Sequence, residues 1–237
     1  MNNKKTLLAT SIAGLIALSS ASASAAELTI KVTNLTHGMV FTPLLVASHD
    51  SDTHLFKTGE AASVALQKMA EGGSIDDLGA EIDAANGHKV ANPNAGLLMP
   101  GKSTPEFDLN TESDTHLSLT AMLLPTNDAF AGVDAWTIPT EAGTYTINVN
   151  AYDAGTEANN ELYVMGAGMP GQLGIPAFPL GDAGENGTGL STEDTNKTVH
   201  IHPGNIGDAM QDGGKSDVSN TVHRWLNPVL RVTVTVK

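Results

Sequence analysis

Two short acidic stretches carry the residue types best suited to chemistry. Pro125-Thr126-Asn127-Asp128 follows the apolar run His116 to Leu124, and Asp153-Ala154-Gly155-Thr156-Glu157 follows the run Thr144 to Ala151. Their carboxylate, amide and hydroxyl oxygens suit a hard cation such as Ca²⁺, which takes roughly six to eight oxygens at about 2.3–2.6 Å in flexible geometry. Asp153 and Glu157 share a glycine-containing loop that can fold back on itself, and backbone carbonyls with Asn159, Asn160 or Glu161 could complete a shell. The loop is not an EF-hand. Counted from Asp153, Ala158 stands where that motif needs glycine and Val164 where it needs glutamate. A solvated acidic turn would have the same composition.

A second candidate is nitrogenous. His200 and His202 alternate with Val199 and Ile201, so on a strand both imidazoles are expected to leave the apolar face. Such a pair can grip Zn²⁺ or Cu²⁺, with His223 or His49 as a third ligand. Surface or loop-packing histidines would give the same pattern. The chain has no cysteine, which excludes a blue-copper centre. No G-x-S-x-G elbow, H-E-x-x-H pair or P-loop occurs. Asp128, Asp153 and Glu157 could serve as an acid–base pair, but so could any two acidic loops, and the expectation is a non-catalytic protein. Trp225, ahead of the last strand, reads as a core plug.

These residues need a scaffold. Met1 to Lys5 is basic, Thr6 to Ser19 is apolar, and Ala23-Ser24-Ala25 offers small residues, so residues 1–25 read as a cleaved signal peptide and 26–237 as a single domain. The apolar run is shorter than the roughly 20 residues that a membrane span needs. An exported protein without cysteine must fold on its core or on bound metal. Loss of Lys4 and Lys5 takes the formal charge from −14 to −16. That excludes nucleic acid, which is held by Lys and Arg on phosphates, and argues against attachment to anionic lipid.

The periodicity is mostly that of strands. Glu27 to Thr36 alternates Leu28, Ile30 and Val32 with Thr29, Lys31 and Thr33, and Val40 to Ser48 is a second run whose Pro43 suits a sheet edge or bulge. Alanine-rich Thr58 to Ala70 reads as a helix stopped by Gly72-Gly73, and Ser74 is placed to cap a short second helix. Residues 86–105 read as loop. Leu117, Leu119, Ala121 and Leu123 share one face, as do Tyr145, Ile147, Val149 and Ala151, with an irregular connection expected between them. Whether that connection crosses the sheet or turns back decides whether the two acidic loops share an end. Short strands are expected over 161–165 and 198–202, a long loop over 166–197, and a closing strand over 229–237. The fold expected is an antiparallel β-sandwich with one or two short helices inserted between early strands.

The order of many short matches resembles the spondin domain family, the domain type that opens F-spondin. Phe41-Thr42-Pro43-Leu44, Ala47-Ser48-His49, Leu55-Phe56, Gly59, Ala61-Ala62-Ser63 and Ala70-Glu71-Gly72-Gly73 are similar to the family's opening pattern. Leu117-Ser118-Leu119, Met122, Pro125, Asp128 and Gly132 resemble its "PSPDW" region, and Asp153 to Glu157 its "DAGTD". His200 to Gly204 and Trp225 to Pro228 resemble the end of bacterial exported members. The resemblance implies a sandwich similar to C2 domains, with Ca²⁺ held at Asp128, Asp153 and Glu157. Here Asn127 and Ala129 replace Pro and an aromatic residue, and Glu157 replaces Asp, a ligand longer by one methylene.

The expected function is an exported, periplasmic or secreted, calcium-binding module for adhesion to a protein or glycan partner. The alternatives are a periplasmic copper or zinc binder built on His200, His202 and His223, and a metal-independent adhesion or matrix protein.

Overall fold

The computed structural model describes residues 26–237; the signal-peptide reading of 1–25 lies outside the described residues. The fold is mostly antiparallel β, with two short helices. In chain order the elements are β1 (Glu27–Asn34), β2 (Val40–Phe41), β3 (Leu45–His49), α1 (Val64–Gly72), α2 (Asp76–Ala84), β4 (His88–Ala91), β5 (Phe107–Asn110), β6 (His116–Leu124), β7 (Ala129–Thr137), β8 (Gly143–Asp153), β9 (His200–Ile201) and β10 (Leu230–Val236). The sheet order is β4-β3-β6-β7-β8-β10-β1-β5, with β2 added on β6 and β9 on β8. The outermost strands β4 and β5 touch, so the sheet curls into a nearly closed sandwich. No helix among the described residues is long and apolar enough to cross a membrane.

Alternation places the core. Leu28, Ile30 and Val32 of β1, Leu117, Leu119, Ala121 and Leu123 of β6, Val149 and Ala151 of β8, and Val232 and Val234 of β10 fill the interior. A second apolar layer lies on the outer face. There Leu66 and Met69 of α1 and Leu78 and Ile82 of α2 cover Leu45, Ala47, Met122 and Phe130. Trp225 belongs to the interior core, as expected of a plug.

The irregular connection expected over 126–143 is instead built on a nine-residue strand, β7. Its first half is buried on both faces, because the helices cover the side turned away from the interior. It therefore lacks the alternation that marks a half-buried strand. Because β7 turns back, β6 and β8 run in the same direction. The loops that follow them, 125–128 and 153–157, therefore lie at the same end of the sheet.

Other boundaries differ for local reasons. The helix expected from Thr58 starts at Val64, where the Ser63 hydroxyl accepts from the Leu66 amide. It ends at Gly73, whose φ of 74° lets its own amide and that of Ser74 close back on Met69 and Lys68. Ser74 does not cap α2, whose N-cap is Ile75 and has no side-chain hydrogen bond. The run Val40 to Ser48 breaks at Thr42–Leu44, around Pro43, and β3 is flanked by β4 and β6 rather than at an edge. β4 occupies part of the expected 86–105 loop. Residues 161–165 form no strand and make one isolated bridge, Tyr163 to Ile175.

Candidate metal centre

The two acidic loops meet. Ala129 pairs with Asp153, and the amide of Ala154 donates to the Asp128 carbonyl at 3.3 Å. Asp153 ends the inward-facing row of β8, so the carboxylates cap one end of the interior core. Asp128, Asp153 and Glu157 are all buried. The structure thus brings together all three residues that the resemblance implies.

Asp128 and Glu157 are each held on one side and bare on the other, whereas both oxygens of Asp153 have donors. Oδ2 of Asp128 accepts from the Thr156 amide (2.8 Å), the Thr156 hydroxyl (3.1 Å) and the Glu157 amide (3.1 Å). Its Oδ1 is buried without a partner. Glu157 Oε2 accepts from the Gly174 amide at 3.0 Å and the Asn127 side chain at 3.3 Å, while its Oε1 is likewise buried and unpaired. Asp153 accepts from the Gly155 amide (2.8 Å) and from Asn159 Nδ2 (2.6 Å). Burial, reinforced by the charge of Asp153, pushes the Asp128 carboxyl up to about 8. Burial, with a contribution from Glu71, pushes Glu157 up to about 7.

The oxygens of Asn159, Asn160 and Glu161 already accept hydrogen bonds from other groups. Asn159 Oδ1 takes His202 Nε2 at 3.2 Å, and Asn160 Oδ1 takes Asn127 and the Leu162 amide. Glu161 accepts from the amides of Ile206 and Gly207 and the hydroxyl of Ser216. Asn127, in place of the family's proline, bonds to both Glu157 and Asn160. Among the described residues, no three His, Asp or Glu side chains form a ready-made metal cage. The fit to a cation rests instead on the unpaired oxygens of Asp128 and Glu157. Among the described residues neither carboxylate has a Lys or Arg within 4 Å, and Asp153 meets only histidines. Carboxylate oxygens of this kind suit a hard divalent ion such as Ca²⁺.

The histidines are placed differently from expectation. Ile201 is the exposed residue, at 48 %, and His202 is buried with its ring on Trp225, 5.1 Å between centroids. His200 pairs with Asp153 across the ladder, and both imidazole Nε2 atoms stand 3.8–3.9 Å from Asp153 Oδ2. The inward turn follows from these polar partners, which outweigh the apolar preference of Ile201. The Gly204 amide donates to His202 Nδ1, so the proton sits on Nε2 and faces Asn159. Burial holds that imidazole down to about 4. His223 packs elsewhere, against Phe178, with its Nδ1 accepting from the Ser219 amide. His49 lies at the far end of β3, bonded to Ser118.

The family model described as Spondin_N matches residues 33–163, more than half of the chain. The chain belongs to the Spondin_N family. It is 28 % identical over 124 residues to spondin-2 of Rattus norvegicus, a match that covers 48 % of this chain and 37 % of the relative. The chain therefore spans little more than a third of that curated relative. Asp128, Asp153 and Glu157 lie inside the Spondin_N match, and His200, His202 and His223 lie outside it.

Sequence reasoning gave one further buried carboxylate of this spondin domain no role. Glu71, in the last turn of α1, is fully buried, and its Oε2 has no hydrogen-bond partner. The signal available was a lone carboxylate near the end of an alanine-rich helix with no basic residue in its last turn.

Proposed function

We propose that the chain is an exported, non-catalytic, calcium-binding spondin module that presents loops to a protein or glycan partner. The observation that carries this reading is the pair of buried, unpaired oxygens, Asp128 Oδ1 and Glu157 Oε1, at the end of one sheet with no cationic side chain opposite. An uncompensated buried carboxylate is costly, and a cation bound to the native state removes that cost. Asp128 and Asp153 would hold the ion from two neighbouring strand ends, and Glu157 would close it from the loop. Ordered by Glu157 through Gly174, residues 163–173 expose Tyr163, Val164, Met165, Met169 and Leu173. This apolar set is the surface on which a partner would dock.

The test is a thermal melt of chelator-stripped protein, repeated with Ca²⁺, Mg²⁺, Zn²⁺ and Cu²⁺. Ca²⁺ at a hundred times its Kd should stabilise the fold by roughly 2.7 kcal/mol, or about 5–10 °C for a chain of this size. No shift with Ca²⁺ would refute the reading, and a shift with Cu²⁺ or Zn²⁺ alone would transfer the site to the histidines.

A further inference from the structure

The carboxylate of Glu71 is in an unfavourable position for an anion. It is fully buried, and it stands at the C-terminal end of a helix, where unpaired carbonyls already give a negative potential. The last turn contains no basic residue, and among the described residues no Lys or Arg lies within 4 Å of Glu71. One oxygen, Oε1, takes Gln67 Nε2 from one turn back at 2.7 Å; the other has neither donor nor solvent. In an apolar helix–sheet layer, alanine or leucine at this position would cost nothing comparable.

What Glu71 faces is the acidic site. Thr156, whose amide and hydroxyl bind Asp128, also lies beside Glu71, and the charge of Glu71 is felt at Glu157. Three donorless carboxylate oxygens therefore belong to residues gathered at this end of the sheet, Glu71, Asp128 and Glu157. The loop that binds Glu157 through Gly174 also closes over the helix end. The Gly168 carbonyl lies 2.0 Å from where a Cβ on Gly72 would stand, so only glycine admits this approach. The enclosure gathers oxygens of one sign and supplies no positive group.

We infer that Glu71 is a further ligand residue of the cation site, delivered by α1, so that one bound divalent ion ties the helix to both strand-end loops. This rests on the calcium reading above and extends it to a residue of a different element. The ion would then clamp three separate pieces of chain, residues 71, 125–128 and 153–157.

The experiment is Ca²⁺ titration calorimetry on the full chain, wild type against Glu71→Gln and Asp128→Asn, with melts in chelator. The Glu71→Gln change keeps the oxygen that Gln67 binds and removes the charge. Its Ca²⁺ Kd should rise roughly tenfold or more, because affinity follows the number of charged ligands. Its melting temperature in chelator should hold or rise, and Ca²⁺ should no longer slow amide exchange in the last turn of α1. A purely structural carboxylate would behave in the opposite way. Glu71→Gln would then lower the chelator melt while wild-type Kd persisted, and that result overturns the inference while leaving the calcium reading intact. Should Glu71→Gln fail to fold, Glu71→Asp decides. Kept charge on a shorter arm weakens Ca²⁺ binding if Glu71 is a ligand, and unchanged Kd overturns it. Wild-type protein that binds no Ca²⁺ overturns both readings, and that outcome is distinct from a failure confined to Glu71.

Discussion

Asp128 and Asp153 sit side by side at one end of the sheet, joined by the Ala154 amide on the Asp128 carbonyl, with both side chains buried. Neither lies beside a Lys or Arg among the described residues. On the calcium reading, the arrangement places the cost of the fold and the proposed cation ligands in the same atoms.

Asp128→Asn tests that coincidence. Its carbonyl can keep all three donors now on Oδ2, and its NH₂ replaces the oxygen that has none. Stability in chelator should hold or increase, while the Ca²⁺-induced shift of roughly 5–10 °C should vanish. A lower melt in chelator would show that the charge is needed by the fold alone.

The pH dependence of the metal-free protein follows from the same burial. Asp128 has a folded pKa of about 8 against an ordinary 3.8, so the folded state holds the proton more tightly than the unfolded chain. Its contribution is fully present below the unfolded value and is lost as pH rises through about 8. Melting in chelator should therefore fall between pH 6.5 and pH 8, above the range where the depressed imidazole of His202 acts with the opposite sign, and it should fall less in Asp128→Asn. A melt that rises across this window contradicts the assignment.

His202 gives a contrasting expectation. It is buried between Asn159, the Gly204 amide and Trp225. Loss of its ring should cost roughly 2–4 kcal/mol in denaturant unfolding, with or without Zn²⁺ or Cu²⁺. A destabilisation seen only in the presence of those ions would mark His202 as their ligand.

Gly155 has a φ of +68°, and a Cβ there would lie 2.6 Å from the Thr198 amide nitrogen and 2.8 Å from the Asn196 carbonyl. Both obstacles are backbone. Gly155→Ala should cost more than about 1 kcal/mol in denaturant unfolding and should weaken Ca²⁺ binding, because the turn positions Thr156 and Glu157. Unchanged stability would mean that the segment 196–198 can move aside.

The strands that border a single apolar face were legible in the sequence. β1, β6, β8 and β10 each alternate against a polar face or a loop, and the row Tyr145, Ile147, Val149 and Ala151 turned inward as its spacing implies. β7 was not legible, since Ala129-Phe130-Ala131-Gly132 is buried on both faces and Gly132 is small enough to pass the Phe56 ring. The acidic residues were legible as types and in order. That they share an end was not, because this depends on β7. The inward turn of His200 and His202 was also hidden, because their partners Asp153 and Asn159 come from distant positions in the chain. Glu71 illustrates the general difficulty: one carboxylate in an amphipathic helix reads as solvated until the loop that covers it is known.

The pairing of β1 with β10 has a consequence for how the domain is held. Leu28 lies opposite Val236, and Val236 lies opposite Gly143 at the start of β8, whereas Asp153 stands at its finish. Glu27 and Lys237 are thus neighbours at the pole opposite the acidic one, about 30 Å away along β8. A fusion or surface attachment made beside Glu27 or Lys237 would leave the acidic pole pointing outward. A circular permutant that joins Lys237 to Glu27 and opens within residues 192–195 should keep the acidic loops intact, since the new ends would fall in loop rather than in the paired strands or the bonded segment 184–190.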